Sequence, residues 1–206
     1  MGALEGRTVV VTGASRGIGR SLALRLAAEG ARLGICGRDE AALSELEGEL
    51  GTPVVTAAFD LSLEAPALEF LEKVRAELGG IDVLVNNAGF NPRKAPLAEI
   101  GTDEFDSIMA VNLRAPFLLM RETAREMKER GGGHVINILS TVCHSDMATM
   151  GAYTAAKEGL RALTNVFRKE VLEDGTRVTA VYPGGTDTDF RPNPRPDYMK
   201  PSSVAD

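Results

Sequence analysis

Short β-branched or apolar runs alternate with longer segments whose apolar residues recur at helical spacing, and this alternation limits what the chain can fold into. The runs Arg7 to Thr12, Arg32 to Cys36 and Pro53 to Phe59 are followed by helical patterns over Gly17 to Glu29, Asp39 to Leu50 and Ser62 to Leu78. The pattern continues with strand Ile81 to Val85, helix Asn112 to Arg130, strand His134 to Leu139, helix Tyr153 to Glu173 and strand Arg177 to Tyr182. Stripes such as Ala67, Leu71, Val74 and Leu78, or Ala156, Leu160, Leu163 and Phe167, supply the apolar faces. The helix from Asn112 offers Leu113, Phe117, Met120, Ala124 and Met127. Repeated βα units with right-handed crossovers make a parallel sheet covered by helices on both faces. The expected fold is therefore α/β, one doubly wound domain with a sheet of about six to seven strands, whose ligands bind outside the carboxyl ends of the strands.

With 206 residues, 44% of them hydrophobic, the chain can bury a sizeable core, and residues 1–206 read as one domain. Acids outnumber bases by 29 to 23 for a net charge of -6, with no basic stripe, which argues against nucleic acid as the principal partner. The start, Met1-Gly2-Ala3-Leu4-Glu5-Gly6-Arg7, passes directly into a strand without a leader pattern, and no apolar stretch approaches membrane-spanning length. A cytoplasmic protein with no membrane partner is the expectation. Cys36 and Cys143 lack metal-ligand or CxxC spacing and read as reduced thiols, and no metal is expected. Prolines at 192, 194, 196 and 201 forbid regular structure, so 189–206 reads as a substrate loop over the site or as a tail.

Two motifs fall at strand ends. After the first strand comes Thr12-Gly13-Ala14-Ser15-Arg16-Gly17-Ile18-Gly19, then a helix. Its glycines permit a tight turn and let a pyrophosphate approach the free N–H groups of a helix N-terminus. The second strand ends Ile35-Cys36-Gly37-Arg38, where selection of a free ribose 2′-hydroxyl calls for an acid. That acid is absent. Asp39 reads as an N-cap, and Arg38 with Arg16 is suited to a 2′-phosphate, favouring NADP(H) over NAD(H) unless both arginines are merely solvated.

Near the fifth strand stands Ser140, and thirteen positions later Tyr153 opens Tyr153-Thr154-Ala155-Ala156-Lys157. On a helix Tyr153 and Lys157 share one face, about 6 Å apart along the axis. A phenol ionises near pH ~10, and an adjacent ammonium lowers that value toward the working range. Such a tyrosine can give and take a proton, while Ser140 donates a hydrogen bond to the same substrate oxygen.

Taken together, TGASRGIG at 12–19, NNAG at 86–89, Asn112, Ser140, YTAAK at 153–157 and PGGTDT at 183–188 resemble the short-chain dehydrogenase/reductase family, in its classical branch. The resemblance spans about residues 5–190 and includes 3-oxoacyl carrier-protein reductases as well as broad sugar, polyol and ketone dehydrogenases. It implies a Rossmann-type domain and a catalytic tetrad of Asn112, Ser140, Tyr153 and Lys157. Tyr153 would be the general acid or base, Lys157 would lower its pKa and hold the nicotinamide ribose, and Asn112 would hold a water linking Lys157 to solvent.

It further implies cofactor contacts from Gly13, Ser15, Arg16, Gly17, Ile18 and Gly19, and from Arg38. Asp60 with the aliphatic Leu61 would meet the adenine, or Asp60 serves only as a turn carboxylate. Asn86, Ala88 and Gly89 would line the cofactor, Asn87 being structural. Pro183, Gly184, Thr186 and Thr188 would meet the nicotinamide end. Cys143 and His144 either touch substrate or form a loop wall; His134 reads as a solvent-facing turn residue. Arg93 and Lys94 stand where they could favour an acidic substrate group.

The expected activity is NADP(H)-dependent hydride transfer to a carbonyl or from a secondary alcohol, a 3-oxoacyl thioester among the substrates considered. The alternative is a non-catalytic NADP(H)-binding redox sensor or scaffold. A homodimer or homotetramer is what the resemblance implies. Members of the family usually run several tens of residues further than Pro201-Ser202-Ser203-Val204-Ala205-Asp206, which looks like the start of another helix. The expectation is a trimmed chain or one with an exposed sheet edge.

Overall fold

A computed structural model describes residues 2–186 and 198–205. Six strands form one parallel sheet: β1 (Thr8–Thr12), β2 (Arg32–Gly37), β3 (Val54–Ala58), β4 (Val83–Asn86), β5 (Gly133–Ile138) and β6 (Thr176–Val181). Their spatial order is β3-β2-β1-β4-β5-β6. The order reverses between β1 and β4, so the connections on either side of that point diverge and leave a crevice at the strands' carboxyl ends.

The central strand shows why the alternation in sequence specifies this arrangement. All five residues of β1 are buried. Val10 joins a core on one face with Phe70, Leu71, Leu118 and Leu160. Val9 and Val11 point to the other face, against Ala23, Leu43 and Leu46. Successive side chains of a strand take opposite faces, and a parallel strand covered on both sides must be apolar throughout. The first face carries α3 (Glu64–Leu78), α5 (Ala115–Glu129) and α6 (Gly151–Glu170); the second carries α1 (Gly17–Ala28) and α2 (Glu40–Leu50).

The expected helix at Asn112 begins ten residues earlier. Helix α4 (Thr102–Met109) runs through a single π turn, Ala110–Arg114, into α5. Gly101 precedes Thr102, Asp103 and Glu104, so the first turn carries the acids a helix N-terminus favours. That signal was present in the sequence, ahead of the apolar stripe that marks α5. Phe117 lies on the outer side of α5, 44% exposed, whereas Met120 and Met127 are buried.

The segment after β6 folds back on itself: the Met199 N–H donates to the Gly185 carbonyl at 2.9 Å, and Thr186 pairs with Met199 as an isolated bridge. A short helix, α7 (Ser202–Ala205), then packs near α1. Of the expected loop or tail at 189–206, residues 189–197, like Thr188, lie outside the described residues, whereas 198–205 carry the bridge at Met199 and helix α7. No described helix is long and apolar enough to cross a membrane.

Candidate active site

The crevice between β1 and β4 is floored by the glycine turn. Gly13 has φ +67°, and a Cβ there would sit 2.8 Å from the Ala88 Cα, so only glycine lets β1's turn pass this close to β4's loop. Asn87 staples the two together, its Nδ2 donating to the carbonyls of Thr12 at 2.9 Å and Gly13 at 3.2 Å. Thr12 Oγ1 accepts from the N–H groups of Asn87 and Ala88, each at 3.0 Å. Asn87 thus has the structural role expected of it.

Helix α1 starts at this turn with no acid in its first turn, and its N-cap, Arg16, forms no side-chain capping bond. Its leading N–H groups and the positive end of its dipole are therefore available to an anion. Glycine cradle and uncapped helix together fit a dinucleotide pyrophosphate. Gly19 contributes differently from expectation. A Cβ on it would overlap the Gly13 carbonyl oxygen, so Gly19 lets α1 seat on the turn and does not line the crevice.

Beyond β2, Asp39 Oδ1 accepts from the Ala42 N–H at 3.1 Å, the N-cap role expected, and Arg38 is left exposed at the crevice. Asp60, at the end of β3, accepts from the Ser62 N–H at 2.8 Å. That bond holds its carboxyl below the usual range, against partial burial, with a lesser contribution from Arg38. The turn role and a place in the cavity wall are both realised by this residue.

Ser140 follows β5 and caps the short turn Thr141–His144, its Oγ accepting from the Val142 N–H at 3.3 Å. The hydroxyl proton remains to be donated. Facing it, α6 begins at Gly151, two residues before Tyr153, and buries Tyr153 to 7% and Lys157 to 2% exposure. The Lys157 Nζ lies 5.8 Å from the Tyr153 ring centre and donates to the Ile138 carbonyl at 2.9 Å. Burial pulls the Lys157 pKa down to about 8, partly opposed by Cys143. At neutral pH it is still an ammonium beside the phenol.

Asn112 sits in the π turn, completely buried. Its Oδ1 accepts from the Phe90 N–H at 3.2 Å, and its Nδ2 donates to the carbonyls of Phe90 at 2.6 Å and Ile108 at 2.9 Å. The extra residue of a π turn rotates this side chain toward the β4 loop, a device common at functional sites. Asn112 therefore buttresses the site from behind and is not part of the cavity wall.

One cavity of about 870 Å³ joins these elements. Its wall contains Gly13, Ser15, Arg16, Gly17 and Ile18, Arg38, Asp60 and Leu61, Ala88 and Gly89, Ser140, Tyr153 and Lys157, and Pro183, Gly184 and Thr186. Asn86 departs from expectation. It is buried at the end of β4, where its Nδ2 donates to Asn137 Oδ1 at 2.8 Å, because it stands in register with Asn137 on the sheet face covered by α5 and α6 and not toward the crevice.

Residues that sequence reasoning passed over also line the cavity. Ser107 and Val111 were missed with the start of α4, and Phe90 follows the NNAG run directly. Cys36 lines it too, with its thiol pushed up to about 12 by burial and so unreactive as a nucleophile. Cys143 and His144 lie outside the wall, and the His144 ring stacks on Tyr182 at 4.7 Å. His134 lies within β5, where the strand pattern put it, and is partly buried rather than a solvent-facing turn residue, bonded to Thr179 Oγ1 at 2.8 Å. Arg93 is engaged by Glu104 at 2.9 Å and the Glu99 carbonyl at 2.7 Å.

Known proteins are similar to this chain in sequence and arrangement. The family model described as short chain dehydrogenase matches residues 7–198. A gluconate 5-dehydrogenase of Gluconobacter oxydans is 35% identical over 185 residues, 88% of this chain and 72% of that protein. The crystal structure of a 3-ketoacyl-(acyl-carrier-protein) reductase from Brucella melitensis complexed with NADH superposes with a TM-score of 0.92 at 30% identity, over 98% of this chain and 89% of that one. That of a metagenomic short-chain oxidoreductase in complex with NADP gives 0.88 at 38% identity, over 98% and 88%.

Proposed function

This chain belongs to the short-chain dehydrogenase family, and from that premise we propose that it is an NADP(H)-dependent oxidoreductase interconverting a carbonyl and a secondary alcohol. The observation that carries the reading is the meeting of Tyr153, Lys157 and Ser140 with the glycine turn in one cavity wall. A bound nicotinamide supplies or receives the hydride at the substrate carbon.

The remaining work belongs to the chain. The Gly13–Gly17 turn and the α1 N-terminus would bind the pyrophosphate, and Arg38 with Arg16 would take the 2′-phosphate. Pro183, Gly184 and the Thr186 N–H would meet the carboxamide. In reduction, Ser140 donates a hydrogen bond to the carbonyl oxygen, which polarises the bond and fixes its position. Tyr153 then delivers its proton to that oxygen. The Lys157 ammonium favours the phenolate left behind and holds the ribose hydroxyls. Asn112 would hold the water linking Lys157 to solvent; its side-chain amide is engaged with Phe90 and Ile108.

A 3-oxoacyl thioester is the substrate class we put first. The likeness to the Brucella melitensis reductase supports it. Assembly as a homodimer or homotetramer is part of the proposal; half-exposed Phe117 on α5 and Val166 on α6 support it.

The cofactor assignment is tested by fluorescence titration of NADPH and NADH on wild type and Arg38→Ala. One charge-assisted phosphate contact is worth about 1.5–3 kcal/mol, so NADPH should weaken by about tenfold or more while NADH changes by less than about twofold. Equal losses for the two cofactors would refute the NADP(H) preference.

A further inference from the structure

Arg38 and Phe90 come from strands that are not neighbours. Arg38 follows β2 and Phe90 follows β4, with β1 between them. Adjacent strands lie about 4.8 Å apart, so the two walls stand about 10 Å from each other across the glycine turn. The Arg38 guanidinium nevertheless lies 5.6 Å from the centre of the Phe90 ring. The side chain is drawn across the crevice and rests on the ring face, the geometry of a cation–π contact.

The ring is a fixed platform. The Phe90 N–H and carbonyl are both bonded by the buried Asn112, at 3.2 and 2.6 Å, and the residue packs against the cluster that contains Ile108, Met150 and Tyr153. Arg38 has the opposite character, being an exposed side chain between two attractors. On its other side, after β3, the Asp60 carboxylate pulls electrostatically on the same guanidinium. Without the ring, that pull favours an arginine drawn back to the β3 side of the crevice, against Asp60.

We propose that Phe90 is a positioning residue for cofactor selection: its ring holds the Arg38 guanidinium over the crevice, where a ribose 2′-phosphate would meet it, and away from Asp60. The inference rests on the NADP(H) reading above and adds a residue to it. Immobilising a long side chain costs free energy when a ligand binds. A guanidinium already parked on a rigid ring has lost much of that freedom beforehand. The consequence is selective, because a cofactor lacking the 2′-phosphate gains nothing from where Arg38 rests.

The test is a double-mutant cycle on binding, with NADPH and NADH titrated against wild type, Phe90→Leu, Phe90→Tyr, Arg38→Ala and Phe90→Leu/Arg38→Ala. An exposed cation–π contact corresponds to about two- to fivefold in affinity. Phe90→Leu should weaken NADPH by that factor and leave NADH unchanged, Phe90→Tyr should retain wild-type affinity, and the Phe90→Leu effect should vanish when Arg38 is already alanine. Equal weakening of both cofactors, or a full Phe90→Leu effect in the Arg38→Ala background, would overturn the proposal while leaving the NADP(H) reading intact. An Arg38→Ala variant with undiminished NADPH affinity would overturn both. Cofactor-free wild type gives an independent readout: the Arg38 Nε–H proton should show an upfield ring-current shift by NMR, and its absence would overturn the proposal even if Phe90→Leu fails to fold.

Discussion

Replacing Lys157 by methionine isolates the cost of burying an ammonium at the heart of the site. In the cofactor-free protein the Lys157 pKa falls from 10.5 to about 8, burial being the principal cause. At about 1.4 kcal/mol per pH unit this is a penalty on folding of about 3 kcal/mol. The folded pKa lies below the unfolded one, so the folded chain binds fewer protons between about 8 and 10.5, and stability rises with pH across that window. Below about 8 the penalty is complete; above 10.5 it is gone. Urea unfolding of wild type and Lys157→Met, at neutral pH and near pH 10, cancels titrations common to both. The wild type should gain about 2–3 kcal/mol on the variant between the two conditions. Parallel stabilities at the two pH values would show that Lys157 is solvated in the folded protein, and would refute its role as a buried cation serving Tyr153.

Asn87→Ala removes both donors that hold the carbonyls of Thr12 and Gly13. It should cost about 1–3 kcal/mol in denaturant unfolding and weaken both dinucleotides alike, since the turn itself loosens. Thr149 is a β-branched residue at φ 69°, immediately before the loop's end at α6. Thr149→Asn should raise stability by up to about 1 kcal/mol, read as a shift of the urea midpoint at unchanged slope.

How much of this was legible in the sequence depended on whether a residue's job is local. The glycine turn, the Asp39 cap and the Tyr153–Lys157 pair follow from spacing along one element, and their positions agree with the pattern. Strand interiors such as Val9 to Val11 were equally plain, because burial on both faces demands continuous apolar residues. Where the partner is distant in sequence, the pattern was silent. Asn86 carries the same residue type as Asn87, yet one faces β5 and the other the glycine turn, a distinction set by strand pleat and neighbour. Asn112 was identified by resemblance, but its seat in a π turn depends on α4, whose short apolar stripe of Phe105, Ile108 and Met109 blends into the following helix. Phe90 gave no periodic signal, and its relation to Arg38 exists only once β2 and β4 flank β1.

On the proposed mechanism, Tyr153 moves the proton at a carbonyl brought beside the dinucleotide. Consumption of NADPH absorbance with a panel of ketones and 3-oxoacyl thioesters, on wild type and Tyr153→Phe, tests it most directly when paired with NADPH titration of the same samples. Wild type should turn over, Tyr153→Phe should lose about a hundredfold or more, and NADPH affinity should be preserved within about twofold. Turnover that survives the loss of the phenol, or a wild-type protein that binds no dinucleotide, would contradict it.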